Sequence, residues 1–216
     1  MELTENTLSV LKNFSGINQN ILIKQGNVIK TISEARNVLA IANVVEEFPK
    51  DVGIYDLNEF IGVLGLVDTP NLKFDDDYMT ISDSSGRSKV KYFYSSEDTL
   101  TTPSKDITMP DVDVSFKLDV DVLNKIKRAS STLGHNEVSI IGKEGNLNLS
   151  VVDSNNATSN TFSIDIDGEF KEDAVFNFIL NINNLKIVNG DYDVQISSKL
   201  ISQFTHSDEN LRYWIA

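Results

Sequence analysis

Leu3, Thr7, Val10, Leu11 and Phe14 fall on one side of a 3.6-residue repeat. That spacing predicts a helix over residues 3–14, with Thr4 as N-cap and Gly16 closing it. Alternating apolar and polar positions then predict strands at 20–24, 28–33, 38–43 and 51–55, the first two joined by a Gln25-Gly26-Asn27 turn. Asp56 is placed to cap a second helix over 57–66, and three further strands follow at 71–74, 78–82 and 88–94. The second half runs in the same order. A helix over 118–130, capped by Asp119, sets Val122, Leu123, Ile126 and Ala129 on its apolar side. Strands follow at 137–142, 146–152, 161–166 and 176–179, then a short helix over 182–188 capped by Asn181. Three strands at 191–196, 200–205 and 210–216 close the chain.

Between the halves the pattern lapses. Residues 95–113 are polar, contain Pro103 and Pro110, and read as a linker. Helix, strands, helix, strands therefore occurs twice. A shift of 115 lays Leu3 on Leu118, Thr4 on Asp119, Leu11 on Ile126 and Lys12 on Lys127. The expected organisation is α+β, with domains at 1–94 and 114–216 and a connector at 95–113, helices covering one face of antiparallel sheets.

Composition narrows the chemistry. The 216 residues include no cysteine, which removes disulfides, thiolate metal sites and cysteine nucleophiles. The start is acidic and polar, and no apolar run approaches ~18 residues, so the expectation is a soluble intracellular protein with no membrane partner. His135 and His206 both fall in turns and accompany no nucleophile motif. Asp75-Asp76-Asp77 and Asp165, Asp167 and Glu169 are candidate Mg²⁺ or Ca²⁺ ligands, but neither set has calcium-loop spacing. Gly142-Lys143-Glu144-Gly145 lacks the phosphate-loop pattern, so ATP binding is not expected. No cofactor and no catalytic set is assigned. A hydrolase using the acidic clusters with a divalent metal, and a non-catalytic β-rich phage structural or adhesin module, remain alternatives.

Charge poses the main question. Nineteen Lys and Arg against 32 Asp and Glu give a net charge of −13, which argues against nucleic-acid binding over the whole surface. It leaves room for a confined basic patch. On the first helix, the side away from the core carries Glu5, Ser9 and Lys12; on its counterpart it carries Asn124, Lys127 and Ser131, with Lys125 and Arg128 alongside. The fourth helix adds Lys186, and the second presents Asn58, Gly62 and Gly65. Such faces are either ordinary solvated surface or a helix layer offered to a polyanion without base-specific contacts.

Leu11-Lys12-Asn13-Phe14, Ile54-Tyr55-Asp56-Leu57-Asn58-Glu59-Phe60, Leu64-Gly65-Leu66-Val67, Phe176-Asn177-Phe178-Ile179 and Gly190-Asp191-Tyr192 resemble the sliding clamps of T-even-type bacteriophages, in order and over nearly the whole chain. The resemblance implies a non-enzymatic DNA polymerase processivity factor with two clamp domains per chain, in the cytoplasm of an infected bacterial host. It implies a homotrimeric head-to-tail ring with duplex DNA through the hole, twelve helices lining it, a tethered DNA polymerase and a separate ATP-driven clamp loader. Carried over, Lys12 is the first DNA-facing residue; Lys125, Lys127, Arg128 and Lys186 follow by helix position. By the same analogy the strand at 88–94 meets the edge at 161–166 of the next subunit, with Arg87, Lys89 and Lys91 facing Asp165, Asp167 and Glu169. For partner binding, the connector and the apolar Tyr213, Trp214 and Ile215 are the candidates, although alternation of the latter in a strand equally fits core packing.

Overall fold

The computed structural model describes residues 1–216, which form two compact units, Met1–Asp106 and Ile107–Ala216. The division falls inside the polar segment 95–113.

Unit 1 opens with α1 (Glu5–Ser15), where the Thr4 hydroxyl accepts the Thr7 amide and Thr7, Val10, Leu11 and Phe14 are buried. Strands β1 (Ile21–Ile23), β2 (Gly26–Ile32), β3 (Val38–Phe48) and β4 (Val52–Ile54) precede α2 (Leu57–Leu64), whose N-terminus is capped by the Asp56 carboxylate on the Glu59 amide. β5 (Asn71–Phe74), β6 (Tyr78–Ser82) and β7 (Lys89–Phe93) form an antiparallel meander, while β1 pairs with β4 and β2 with β3. α1 packs on α2 and β3. Leu11, Phe14, Ile21, Ile54, Leu57 and Phe60 meet in the core between them.

Unit 2 runs β8 (Val114–Leu118), α3 (Val120–Leu133), β9 (Glu137–Lys143), β10 (Asn146–Val152), β11 (Phe162–Ile166), β12 (Gly168–Phe170), β13 (Phe176–Asn181), β14 (Tyr192–Ser197), β15 (Ile201–His206) and β16 (Leu211–Ile215). Two antiparallel arrangements result, β11-β10-β9-β13 and β12-β8-β14-β15-β16. α3 packs on β10, and Leu123 and Ile126 join Phe116, Val138, Ile140, Leu149 and Phe204 in the core. Gly134 ends α3 at φ 71°, a left-handed position that a side chain would strain.

Several elements differ from the sequence reading, among them the short strand β12, which alternation did not predict. The helix expected over 182–188 is absent; only a 3-10 turn, Ile182–Asn184, forms there. Asn183-Asn184 is a poor helix start, and the Asn181 side chain accepts the Asn183 amide in a tight turn that competes with helix. Val114–Leu118, to which the sequence reading gave no element before its helix start at Leu118, is strand β8, with Val114, Phe116 and Leu118 buried in strict alternation. β3 extends to Phe48 because Val44, Glu46 and Phe48 continue the buried side of the strand. No helix is long and apolar enough to cross a membrane.

Candidate functional site

α1 turns Glu5, Ser9 and Lys12 outward, all exposed. Lys12 stands in the last turn, where the helix dipole favours a cation. The opposite end is anchored by a carboxylate from β3. The Glu46 oxygens accept the Thr4 amide and the Thr7 hydroxyl, each at 2.5 Å. Burial pushes the Glu46 carboxyl up, but these donors outweigh it and hold its pKa below the ordinary carboxylate value. Because the folded-state pKa is the lower one, this stabilisation is present above the unfolded pKa and fades as pH falls through the folded value. Glu46→Gln is expected to cost unit 1 about 1–3 kcal/mol at neutral pH. Denaturant titrations at pH 7 and pH 3 check it; the gap between variant and parent should close in acid.

α3 is anchored in a similar way, from a different place in the chain. Asp119 makes no side-chain cap bond; instead the Asp191 carboxylate accepts the Val120 amide at 2.7 Å. The helix buries Leu123, Ile126 and Ser130, not Ala129. Ser130 belongs in this stripe because its hydroxyl donates to the His135 carbonyl at 2.5 Å. This rotation corrects the face read from sequence. Lys125 and Arg128 point outward and are exposed, whereas Lys127 lies half-buried on the flank, where desolvation lowers its pKa. Lys186 is exposed but follows the 3-10 turn, so no helix presents it. α2 adds no cation; its outer side carries Asn58, Glu59 and Gly62.

Each unit also leaves a strand edge open. β7 pairs only with β6, and β11 only with β10. Along β7, Lys89 and Lys91 are exposed with Phe93, and the Lys91 ammonium sits 3.7 Å from the Tyr78 ring centroid. Arg87 lies in the preceding turn, its amide donating to Asp83. Along β11, Asp165 is exposed and accepts Asn148 Nδ2 at 2.8 Å; Asp167 follows, also exposed. Beside this edge opens a groove of about 920 Å³ whose walls include Asp119, Asp165, Asp167, Glu169 and Asp193, with Lys117 as its one cation. These two, among the sheets' open edges, are oppositely charged.

Tyr213, Trp214 and Ile215 do not form an exposed partner patch. They are 0%, 5% and 1% exposed, because β16 directs Tyr213 and Ile215 into the core and Trp214 is covered on the other side. A different concavity, about 460 Å³, lies in unit 1 between Leu22, Lys24, Val28 and Lys30 on one wall and Glu97, Thr102 and Pro103 on the other. The sequence pointed to the connector side of it only; the facing β1–β2 residues carry no motif. The acidic clusters gather no group of three or more side chains able to hold a metal ion. At Asp75 and Asp76 the main-chain carbonyls accept the Lys50 ammonium at 2.9 and 3.1 Å.

Two α+β units in tandem, with helices over one face of antiparallel sheets, define the DNA clamp fold. The same architecture occurs in the solved structure of the C-terminal region of FEN-1 bound to A. fulgidus PCNA, which aligns with a TM-score of 0.74 over 100% of this chain and 96% of that one, at 10% identity. Sequence comparison goes further. The family described as DNA polymerase processivity factor matches residues 4–102, and that described as gp45 sliding clamp, C terminal, matches 115–216. The sliding clamp of Vibrio phage KVP40 is 32% identical over 221 residues, covering 100% of this chain and 98% of the relative; that of Escherichia phage RB69 is 31% identical over 218 residues, covering 96% and 93%. The chain belongs to the phage sliding-clamp family of DNA polymerase processivity factors.

Proposed function

We propose that three copies of this chain close head to tail into a ring around duplex DNA and keep the replicative polymerase at the primer end. The observation that carries this reading is the pair of unpaired, oppositely charged strand edges: one chain offers both halves of a self-propagating contact. A heterologous contact of this kind yields a closed ring when its rotation closes. Lys89 and Lys91, with Arg87 behind them, would face Asp165, Asp167 and Glu169 of the next copy. Residues 95–113 serve as the interdomain connector.

The mechanism is topological. A linked ring cannot dissociate sideways, so its phosphate contacts can be weak, and weak contacts without base readout allow sliding. Lys12, Lys125 and Arg128 are exposed, sit on outward helix faces and are the residues assigned to DNA; Lys127 and Lys186 are secondary. Tethering raises the effective concentration of polymerase at the primer. The chain performs no catalysis of its own. Loading falls to a separate ATP-driven complex, and the setting is the cytoplasm of the infected bacterial host. Partner peptides enter the unit 1 concavity; the A. fulgidus PCNA that shares the fold is itself bound by a peptide segment, the C-terminal region of FEN-1.

Primer extension with the matching polymerase and loader tests the whole reading. Long products should form on circular templates and be lost on linear ones with free ends; equal products on both would refute a linked ring. Lys12→Glu combined with Arg128→Glu should shorten products severalfold and leave the trimer mass intact, since each phosphate contact removed weakens binding regardless of sequence. Lys127→Glu alone should do less.

A further inference from the structure

The second wall of the unit 1 concavity is a strap, residues 95–106, and its attachments are of two kinds. Its first half carries one exposed ion pair, Lys24–Glu97, but is fixed to the fold by neutral, partly buried bonds as well. Ser95 donates its amide to the Gly53 carbonyl at 2.9 Å, and the fit is so close that a Cβ on Gly53 would stand 2.2 Å from the Ser95 carbonyl oxygen. The Thr101 amide donates to Asn20 Oδ1 at 2.8 Å, and its carbonyl accepts Asn18 Nδ2 at 3.3 Å. Asn18 is itself buried and donates also to the Ile32 carbonyl, so this point of the strap is fixed to the fold.

Beyond Thr101 the character changes. The tie of the 102–106 segment is an ion pair between Lys30 and Asp106 at 2.5 Å, with the Asp106 side chain 80% exposed. Such pairs contribute little and exchange readily. Yet Lys30 also lines the concavity, as do Thr102 and Pro103 on the strap and the apolar side chains of Leu22 and Val28. Lys24, on the same rim, is already engaged by Asp51 at 3.0 Å and by Glu97 at 3.3 Å. Lys30 is therefore the rim cation whose carboxylate partner belongs to the loose end of the strap.

We propose that the strap is a lid hinged at Thr101 and latched by Lys30–Asp106, and that its key is a partner peptide presenting a carboxylate next to an apolar side chain. The peptide carboxylate takes Lys30 from Asp106, the segment Thr102-Pro103-Ser104-Lys105 lifts, and the apolar side chain seats against Leu22 and Val28. Charge complementarity selects an acidic peptide end over a basic one. This inference rests on the partner-pocket reading above and adds how the pocket opens and what it selects.

The chain has no cysteine, so Ser104→Cys gives a unique site for a nitroxide label in the full-length protein. Without any peptide, Asp106→Asn and Lys30→Gln should each raise label mobility; unchanged mobility in both overturns the latch. Binding is then read with a synthetic peptide of the matching polymerase's C-terminal residues, as free acid and as amide. The parent should prefer the acid. Asp106→Asn should tighten acid binding about threefold by removing the competitor, whereas Lys30→Gln should weaken it and erase the acid–amide difference. Shifts in the same direction for both variants would mean that the pair merely braces the fold, and would overturn the proposal. If neither peptide binds the parent, the pocket reading itself fails and the peptide key falls with it, while label mobility still judges the latch.

Discussion

A chain carrying Lys89→Glu and Lys91→Glu is expected to fold and to sediment as a monomer at concentrations where the parent forms the proposed trimer. Both side chains are exposed on β7, outside the core of unit 1, so reversing them leaves Val90 and Tyr92, which face inward, in place. What changes is the edge. β7 offers its free amides and carbonyls to whatever strand can pair with it, and in the proposed ring that strand is β11, flanked by Asp165, Asp167 and Glu169. Two reversals replace attraction by repulsion across each seam. At about 1 kcal/mol for each opposed like-charge pair, the seam weakens by roughly 2 kcal/mol, about 30-fold. A closed ring contains that seam three times over, so the assembly loses the product of the three. Processive synthesis should disappear with the trimer. The decisive control is the compensating chain, Asp165→Lys with Asp167→Lys added to the β7 reversals: sedimentation should then return the trimer. A trimer that survives the β7 reversals, or fails to return with compensation, removes these strands from the interface.

Ring formation also bears on the chain's negative charge. Three copies of a −13 chain cannot hold DNA by general attraction. Confinement asks for less. Lys12, Lys125 and Arg128 enter no ion pair within the chain, whereas Lys24, Lys30, Lys50, Lys73 and Lys143 are each paired to a carboxylate. The free cations on helix faces are those the proposed hole would use, and the acidic exterior would turn DNA away from other surfaces.

How much of this was legible before folding follows from the range of the signals. Thr4 and Asp56 act within three residues, and both caps stand where the sequence placed them. The order of strands was equally readable, since alternation is local. The outward face of α3 was not. Spacing alone favours Ala129 as a core position, but the His135 carbonyl lets Ser130 be buried instead, and Arg128 stands outward with Lys127 on the flank. The helix expected to carry Lys186 did not form for a related reason: Asn181 can cap a helix or close a tight turn, and its side chain accepts the Asn183 amide in the turn. The anchors Glu46 on Thr4 and Asp191 on Val120, and the latch of Lys30 on Asp106, join positions 42, 71 and 76 residues apart. No local pattern announces such pairs; only the folded sheet brings them together.

Tyr213→Ala gives the largest expected loss of stability, and it separates two roles for the C-terminal strand. A surface residue that touches a partner can be truncated with little effect on folding. Tyr213 is fully buried, its ring lies 6.2 Å from that of Tyr192 in an edge-on arrangement, and its hydroxyl oxygen accepts the Val188 amide at 3.2 Å. The Tyr192 hydroxyl in turn donates to the Val188 carbonyl at 2.6 Å, so the two phenols bracket the turn that leads into β14. Burial pushes the pKa of both phenols upward, as expected of neutral groups in an apolar core. Deleting the ring removes its packing, opens a cavity and leaves the Val188 amide without its acceptor. Large-aromatic truncations of this kind cost about 3–5 kcal/mol, a large share of what holds a domain of this size together. Denaturant unfolding should therefore show unit 2 destabilised by that amount, with Tyr213→Phe costing only about 1 kcal/mol for the lost hydroxyl. Parent-like stability in Tyr213→Ala together with weakened polymerase binding would restore the partner role that burial denies.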